Sequence, residues 1–220
     1  IGNDRMANAF DMLNLGRPTG IKLPAEDRGL IPGSEWWRRE LHPGEAMTPA
    51  RMAMLAIGQD ESEATPLQLA ALTACIANGG KYYRPRIIKM VVDPKEGVLV
   101  SDIPELRVDL LAEGMNADQF ADLRLGLWKA ANELGGTARR ASPEDVEIGA
   151  KTGTAQTTDF GQKSHNAWTV AFAPFEEPRY AVAVLVQNGK SGGKVCGPLV
   201  NLIFRGIFAA EKGLKLPLRR

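Results

Sequence analysis

The chain has 220 residues, which suits one domain or one large lobe of a larger one. Hydrophobic residues make up 44% and charged residues 24%, ordinary globular values, so a sizeable core can form. The 27 basic and 26 acidic residues leave a net charge of +1 without a long basic run, which argues against nucleic acid as a partner.

No run of 18 apolar residues and no signal-peptide pattern is present, so neither a membrane span nor a leader is predicted. The chain opens on Ile1 and runs at once into helix-like sequence, as a fragment or a processed chain does. Cys75 and Cys196 sit in apolar helical contexts and read as buried free thiols, with a disulfide as the alternative. With only His42 and His165 in the chain, a zinc site is not expected, and no cofactor is implied.

Residues 5–15 read as a helix with Met6, Phe10 and Leu13 on one side, stopped by Gly16. Residues 16–33 are loop, punctuated by Gly16, Pro18, Gly20, Pro24, Gly29 and Pro32-Gly33. Ser34 can cap a short helix carrying Trp36 and Trp37, read as core with a protein-facing patch as the alternative, and Pro43-Gly44 breaks it. Thr65-Pro66-Leu67-Gln68 is a strong helix start. Thr65 can accept from the N3 amide, Gln68 can reach back, and Pro66 takes the N1 position. That helix runs through Leu69, Leu72 and Ile76 until Gly79-Gly80 ends it.

Two β-rich runs follow, 86–92 and 98–100, with Asp93-Pro94 between them. Asn116 caps the next helix, whose apolar face is Phe120, Leu123, Leu127 and Ala131, and Gly135-Gly136 ends it. After a strand around Lys151, residues 167–173 set Trp168, Val170 and Phe172 against small partners, which places Trp168 in the core. Residues 180–186 alternate Tyr180, Val182, Val184 and Val186, and Pro174–Pro178 suits a hairpin of antiparallel strands. Last, Leu199, Leu202, Ile203, Gly206, Ile207 and Ala210 share a helical stripe that should pack on the preceding sheet.

The chemistry centres on Lys151-Thr152-Gly153-Thr154-Ala155-Gln156. A site that captures a peptide carboxy terminus needs positive potential and hydroxyl donors. Lys151 supplies a compact charge. Thr152 and Thr154 alternate with Gly153 along a strand, so their hydroxyls share one face and can bond one carboxylate. Gly153 lets a ligand or a neighbouring backbone approach closely. An exposed strand edge offers main-chain groups to a peptide lying beside it, and one N–H there can donate to an oxyanion. Residues 157–163, polar and glycine-containing, read as a mobile rim. The Lys190–Lys194 loop reads as a border of the cleft, and His165 as a rim or structural residue.

Several stretches occur together in a fixed order. They are Leu15–Pro24, Ile57-Gly58-Gln59, Thr65–Ala70 with Ala77–Gly80, Gly135-Gly136-Thr137-Ala138, Ala150–Gln156, and His165–Trp168 leading into Phe172-Ala173-Pro174. In them the chain resembles the C-terminal part of a class B penicillin-binding protein transpeptidase domain of the elongation, penicillin-binding protein 2-like type. The resemblance implies an α/β fold of the α+β kind: an antiparallel sheet flanked by helices, plus a helical lobe. On it, residues 1–140 are mainly the helical lobe, and 146–212 hold the motif strand, hairpin and C-terminal helix.

It also implies a peptidoglycan D,D-transpeptidase acting through a serine acyl-enzyme on stem peptides ending in D-Ala-D-Ala, and inhibited by β-lactam antibiotics. Lys151 would set the site's electrostatics, Thr152, Gly153 and Thr154 would bind substrate, and the Thr154 amide would be half of the oxyanion hole. The implied location is the extracytoplasmic, periplasmic side of an inner-membrane-anchored parent, with cell-elongation or division membrane proteins as partners.

Two departures stand out. The family's Ser-x-x-Lys and Ser-x-Asn motifs do not precede Lys151, so the nucleophile serine is expected outside this chain and the chain alone is expected to be inactive. Formal matches at Ser191–Lys194 and Ser164–Asn166 lie downstream and read as decoys. In addition, Asp60 follows Gly58-Gln59 where the family usually has a second glycine. A D,D-carboxypeptidase or β-lactamase relative, and a non-catalytic scaffold module, remain as alternatives.

Overall fold

The computed structural model describes residues 3–159 and 162–214. The chain divides into two compact units, Ile1–Cys75 with Gly80–Met115, and Ile76–Gly79 with Asn116–Arg220. Arg219-Arg220, read as a solvated tail, lies outside the described residues.

The first unit opens with helix α1 (Asn3–Met12), followed by a long loop and a π-helical turn at Trp37–Leu41. Ser34 Oγ accepts from the Trp37 amide at 3.2 Å, which is the capping role its sequence position predicts. Trp37 is fully buried with Met47 and Leu55, and Met6, Phe10 and Leu30 pack against them. Trp36 is only half-buried, with the Arg28 guanidinium 4.1 Å from its ring centroid, so one of the two tryptophans is core and the other is not. Helix α2 (Pro49–Ala56) starts on Thr48, which accepts from Arg51 N.

Helix α3 (Pro66–Ala77) starts with the reciprocal cap read from the sequence. Gln68 N donates to Thr65 Oγ1 at 3.1 Å and Thr65 N donates to Gln68 Oε1 at 2.8 Å. The buried Gln68 amide nitrogen also donates to the carbonyls of Arg17 (2.9 Å) and Arg28 (2.8 Å), so one side chain pins the glycine- and proline-rich loop to the helix. Asp60 has φ of +69°. The left-handed conformation accounts for glycine as the usual residue there, and aspartate is among the few others that tolerate it. Asp60 also accepts from Arg51 Nε at 3.0 Å.

Four short strands complete this unit: β1 (Lys81–Tyr83), β2 (Met90–Asp93), β3 (Gly97–Ser101) and β4 (Leu106–Asp109). β1 pairs antiparallel with β4, and β2 with β3 as a hairpin.

The second unit is α4 (Ala117–Asn132), a 3-10 turn at Arg139–Ala141, strands β5 (Gly149–Asp159), β6 (Gln162–Ala173) and β7 (Tyr180–Val186), a π turn at Gly192–Cys196, and α5 (Gly197–Glu211). The three strands form one antiparallel sheet in the order β5-β6-β7. Asn116 caps α4 in a full capping box with Gln119. α4 lies against β5, although the sequence grouped it with residues 1–140. Its packed side is Phe120 and Ala131; Leu123 is exposed.

The sheet corrects two expectations. Ala167, Thr169, Ala171 and Ala173 form one fully buried face of β6, whereas on the other face Phe172 is buried and Trp168 only half-buried. Small side chains let α5 come close, and its Val200, Phe204 and Phe208 fill the space over Ala171, Ala173, Ile148 and Ala150. Correspondingly, Leu199, Leu202 and Ile203 of the expected stripe are exposed. The helical run Gly192–Glu211 is long and apolar enough by length and composition to cross a membrane, although here Val200 and Phe204 pack on the sheet.

Residues 157–159 and 162–163 also differ from expectation, being strand rather than loop, with Asp159 opposite Gln162. Phe172 fixes this pairing: its ring covers Gly149 directly opposite, where a β-carbon would sit 2.4 Å from the ring.

Candidate active site

Strand alternation decides which motif residues meet. With Thr152 opposite Thr169 and Thr154 opposite Ala167, both threonines share the face that carries α5. Lys151 and Gly153 alternate to the other face. The two threonines line one open depression of ≈ 690 Å³ in the second unit. Lys151 does not line it. Its exposed ammonium donates to the carbonyl of Thr152 at 2.5 Å.

Two turns complete the depression. One carries Gly135, Gly136, Thr137, Arg139 and Arg140; the other carries Ser191, Gly192, Gly193 and Lys194. The first is tied to the strand through Thr152 Oγ1 and Thr137 Oγ1, 3.2 Å apart. The second rests on the sheet backbone. Gly192 N donates to Thr154 Oγ1 at 3.4 Å, and the buried Thr169 hydroxyl donates to Gly192 O at 3.2 Å. Such contact requires glycine. A β-carbon at Gly192 would lie 2.2 Å from Trp168 O and 2.5 Å from Gly153 O, and one at Gly193 would lie 2.4 Å from Thr137 O. A β-carbon at Gly153 itself would meet only Trp168 Cβ, at 3.4 Å, so the close approach rests on Gly192 rather than on Gly153.

The lining holds four hydroxyls and three cations (Arg139, Arg140 and Lys194) and no carboxylate. Such a surface suits an anion, with hydroxyls to fix its orientation and positive charge to attract it. The outer edge of β5 pairs with no other described strand, so main-chain groups are available beside the threonines.

Of the residues singled out from sequence, the structure gathers Thr152, Thr154 and the 190–194 loop. Thr137, Arg139 and Arg140 were given no role. Their signal was weak, since Gly-Gly followed by Thr reads first as a helix stop. Ser191 and Lys194 also face the depression, but Ser191 is extended and no hydrogen bond joins the two. Ser164 bonds Asn188 instead. His165 lies on β6 opposite Gln156, and its carbonyl accepts from Lys190 N at 3.4 Å. Cys196 is buried near the site with Sγ 3.1 Å from Ala167 O, and burial pushes its thiol up. Both cysteines are free, and burial pushes Cys75 up to about 12. Among the described residues no group of three His, Cys, Asp or Glu side chains is placed to hold a metal.

Fold and site together define an α+β domain with an anion-suited depression on its sheet, and known proteins identify the family. The chain matches the penicillin binding protein transpeptidase domain over residues 1–205, and it belongs to that family. It is 28% identical to the peptidoglycan D,D-transpeptidase MrdA of Haemophilus influenzae, over 92% of this chain and 32% of that protein. It is 31% identical to the peptidoglycan D,D-transpeptidase PbpA of Mycobacterium tuberculosis, over 94% of this chain and 39% of that protein. Among solved structures it resembles Pseudomonas aeruginosa PBP2 in complex with WCK 5153, with a TM-score of 0.77 and 29% identity over 100% of this chain and 45% of that one. Helicobacter pylori PBP2 in complex with MreC gives a TM-score of 0.76 and 27% identity, over 96% and 37%. The chain thus spans about a third of the length of the curated relatives it matches.

Proposed function

We propose that the chain is the carboxylate-binding part of a peptidoglycan D,D-transpeptidase that cross-links stem peptides through a serine acyl-enzyme and is acylated by β-lactams. The observation that carries this is the pairing of Thr152 and Thr154 on an edge strand, facing a depression with hydroxyls and cations but no acid. The terminal D-Ala carboxylate is received by both hydroxyls. The peptide lies along the open edge of β5, and the Thr154 amide donates to the carbonyl oxygen as negative charge develops there.

Lys151 projects from the opposite face of the strand. The serine nucleophile, with its lysine, attacks the carbonyl of the penultimate D-Ala. No Ser-x-x-Lys precedes Lys151, so these two residues are supplied from outside the 220 residues. The enzyme works on the extracytoplasmic side of the inner membrane, and its partner is a membrane protein of the cell-elongation or division machinery. The complex of the Helicobacter pylori relative with MreC supports this.

Intact-mass measurement with benzylpenicillin tests the proposal. The 23.8 kDa chain should remain unmodified, and a longer polypeptide spanning the relatives' full length should gain one penicillin. In that longer polypeptide Thr154→Val should slow acylation about 10–100-fold, the loss of one charge-assisted hydrogen bond or slightly more. An adduct on the 23.8 kDa chain, or an unaltered rate in the valine variant, would overturn the assignment.

A further inference from the structure

The depression carries more positive charge than one terminal carboxylate needs. Arg139 and Arg140 are adjacent on the 3-10 turn, and Lys194 is on the facing π turn. The two turns touch where Gly193 meets the carbonyl of Thr137, so all three cations border the same space beside Thr152 and Thr154. No carboxylate lines that space, and among the described residues none of the three cations forms an ion pair. All three are exposed, so their charge is presented to solvent rather than consumed inside the fold. Like charges gathered without a counter-charge repel one another, and a bound anion relieves that repulsion.

We infer that Arg139, Arg140 and Lys194 form a second anion subsite beside the Thr152/Thr154 hydroxyls. It takes ligands that carry a further negative charge on the residue bearing the terminal carboxylate. The inference rests on the proposed carboxylate role of the threonines. Thr152 and Thr154 fix the α-carboxylate in place by short-range hydrogen bonds. The cations act at longer range on whatever the terminal residue projects toward the two turns. An acidic side chain there gains attraction, and a neutral isostere of the same size does not.

The test uses the 220-residue chain labelled with ¹⁵N, titrated with three probes: N-acetyl-D-Ala-D-Ala, N-acetyl-D-Ala-D-Gln and N-acetyl-D-Ala-D-Glu. Amide shifts of residues 152–154 and 191–194 report binding. The D-Glu probe should bind about 5-fold tighter than D-Gln at low salt, from a small number of exposed charge contacts. The advantage should fade toward unity at about 0.5 M salt, where the screening length is only a few Å. In the variant combining Arg139→Gln, Arg140→Gln and Lys194→Gln, the D-Glu and D-Gln affinities should coincide.

Equal affinity for D-Glu and D-Gln in the parent chain would overturn the second subsite and leave the carboxylate role of the threonines standing. A D-Glu advantage that survives in the triple variant would also overturn it, by placing the second charge elsewhere. If no probe shifted residues 152–154, the underlying carboxylate reading would fail, and the subsite with it.

Discussion

Gly192→Ala is the most informative single change in the second unit. The π turn sits on the backbone of two strands, and a β-carbon at this position would lie 2.2 Å from Trp168 O, 2.5 Å from Gly153 O and 3.1 Å from Gly153 N. All three neighbours are backbone atoms in paired strands, so the turn must retreat rather than the sheet. Restoring ordinary contact at about 3.4 Å requires a displacement of roughly 1 Å. That movement breaks the buried hydrogen bond from Thr169 and the one to Thr154. Forced overpacking costs about 1–3 kcal/mol, and a buried hydroxyl left without its partner adds about 1 kcal/mol.

The expected loss is therefore about 2–4 kcal/mol, or roughly 5–15 °C in Tm for a chain of this size. Circular dichroism melts measure the stability, and the amide shifts of Thr152–Thr154 measure the site. Both should change together, because the turn and the motif strand share the contact. A variant that melts within about 1 °C of the parent, with the Thr154 amide unmoved, would refute the close packing of turn on strand. Gly126→Ala is the matched control: it lies within α4 with nothing within 4 Å of its β-carbon position. That change should stabilise by up to about 1 kcal/mol.

Gln68→Leu should cost about 3 kcal/mol in a denaturant titration, because the carbonyls of Arg17 and Arg28 and the amide of Thr65 all lose their partner in a buried place. Native Cys75 should resist Ellman's reagent at pH 8, where a thiol near 12 is about 0.01% thiolate, and should react fully in guanidinium. Glu211 accepts from Tyr180 Oη and from Arg179, and these bonds hold its carboxyl below the ordinary value. A depressed folded value contributes stability above the unfolded value of about 4.3 and loses it as pH falls through the folded one. The C-terminal end of α5 should therefore loosen as pH falls below about 4.3, followed by amide exchange, and Glu211→Gln should remove that acid dependence.

Much of the fold was readable from local rules. The caps at Thr65 and Asn116 form as read, because a cap depends only on residues three apart. The β6–β7 pairing followed from alternation and an interrupting proline segment, and the buried thiols followed from apolar flanks. Faces were less legible. Trp168 and the Leu199–Leu202–Ile203 stripe were read as inward because they are large and apolar. The partner helix instead selected the small face of β6, where it could approach closely. The site showed the same split: the pairing of Thr152 with Thr154 came from the strand period, and the separation of Lys151 from them comes from that same period.

By itself, then, the sequence determined the helix starts, the antiparallel hairpin and the motif strand, since each rests on spacing within about a dozen residues. It also carried enough ordered motifs to identify the transpeptidase family. Only the tertiary structure decided which side of the sheet the helix covers and which two turns meet over Thr152 and Thr154. It alone gathered Arg139 and Arg140 with Lys194, more than 50 positions further along the chain, around one depression. These are long-range contacts, chosen by which surfaces fit together in space, and no local pattern in the chain encodes that fit.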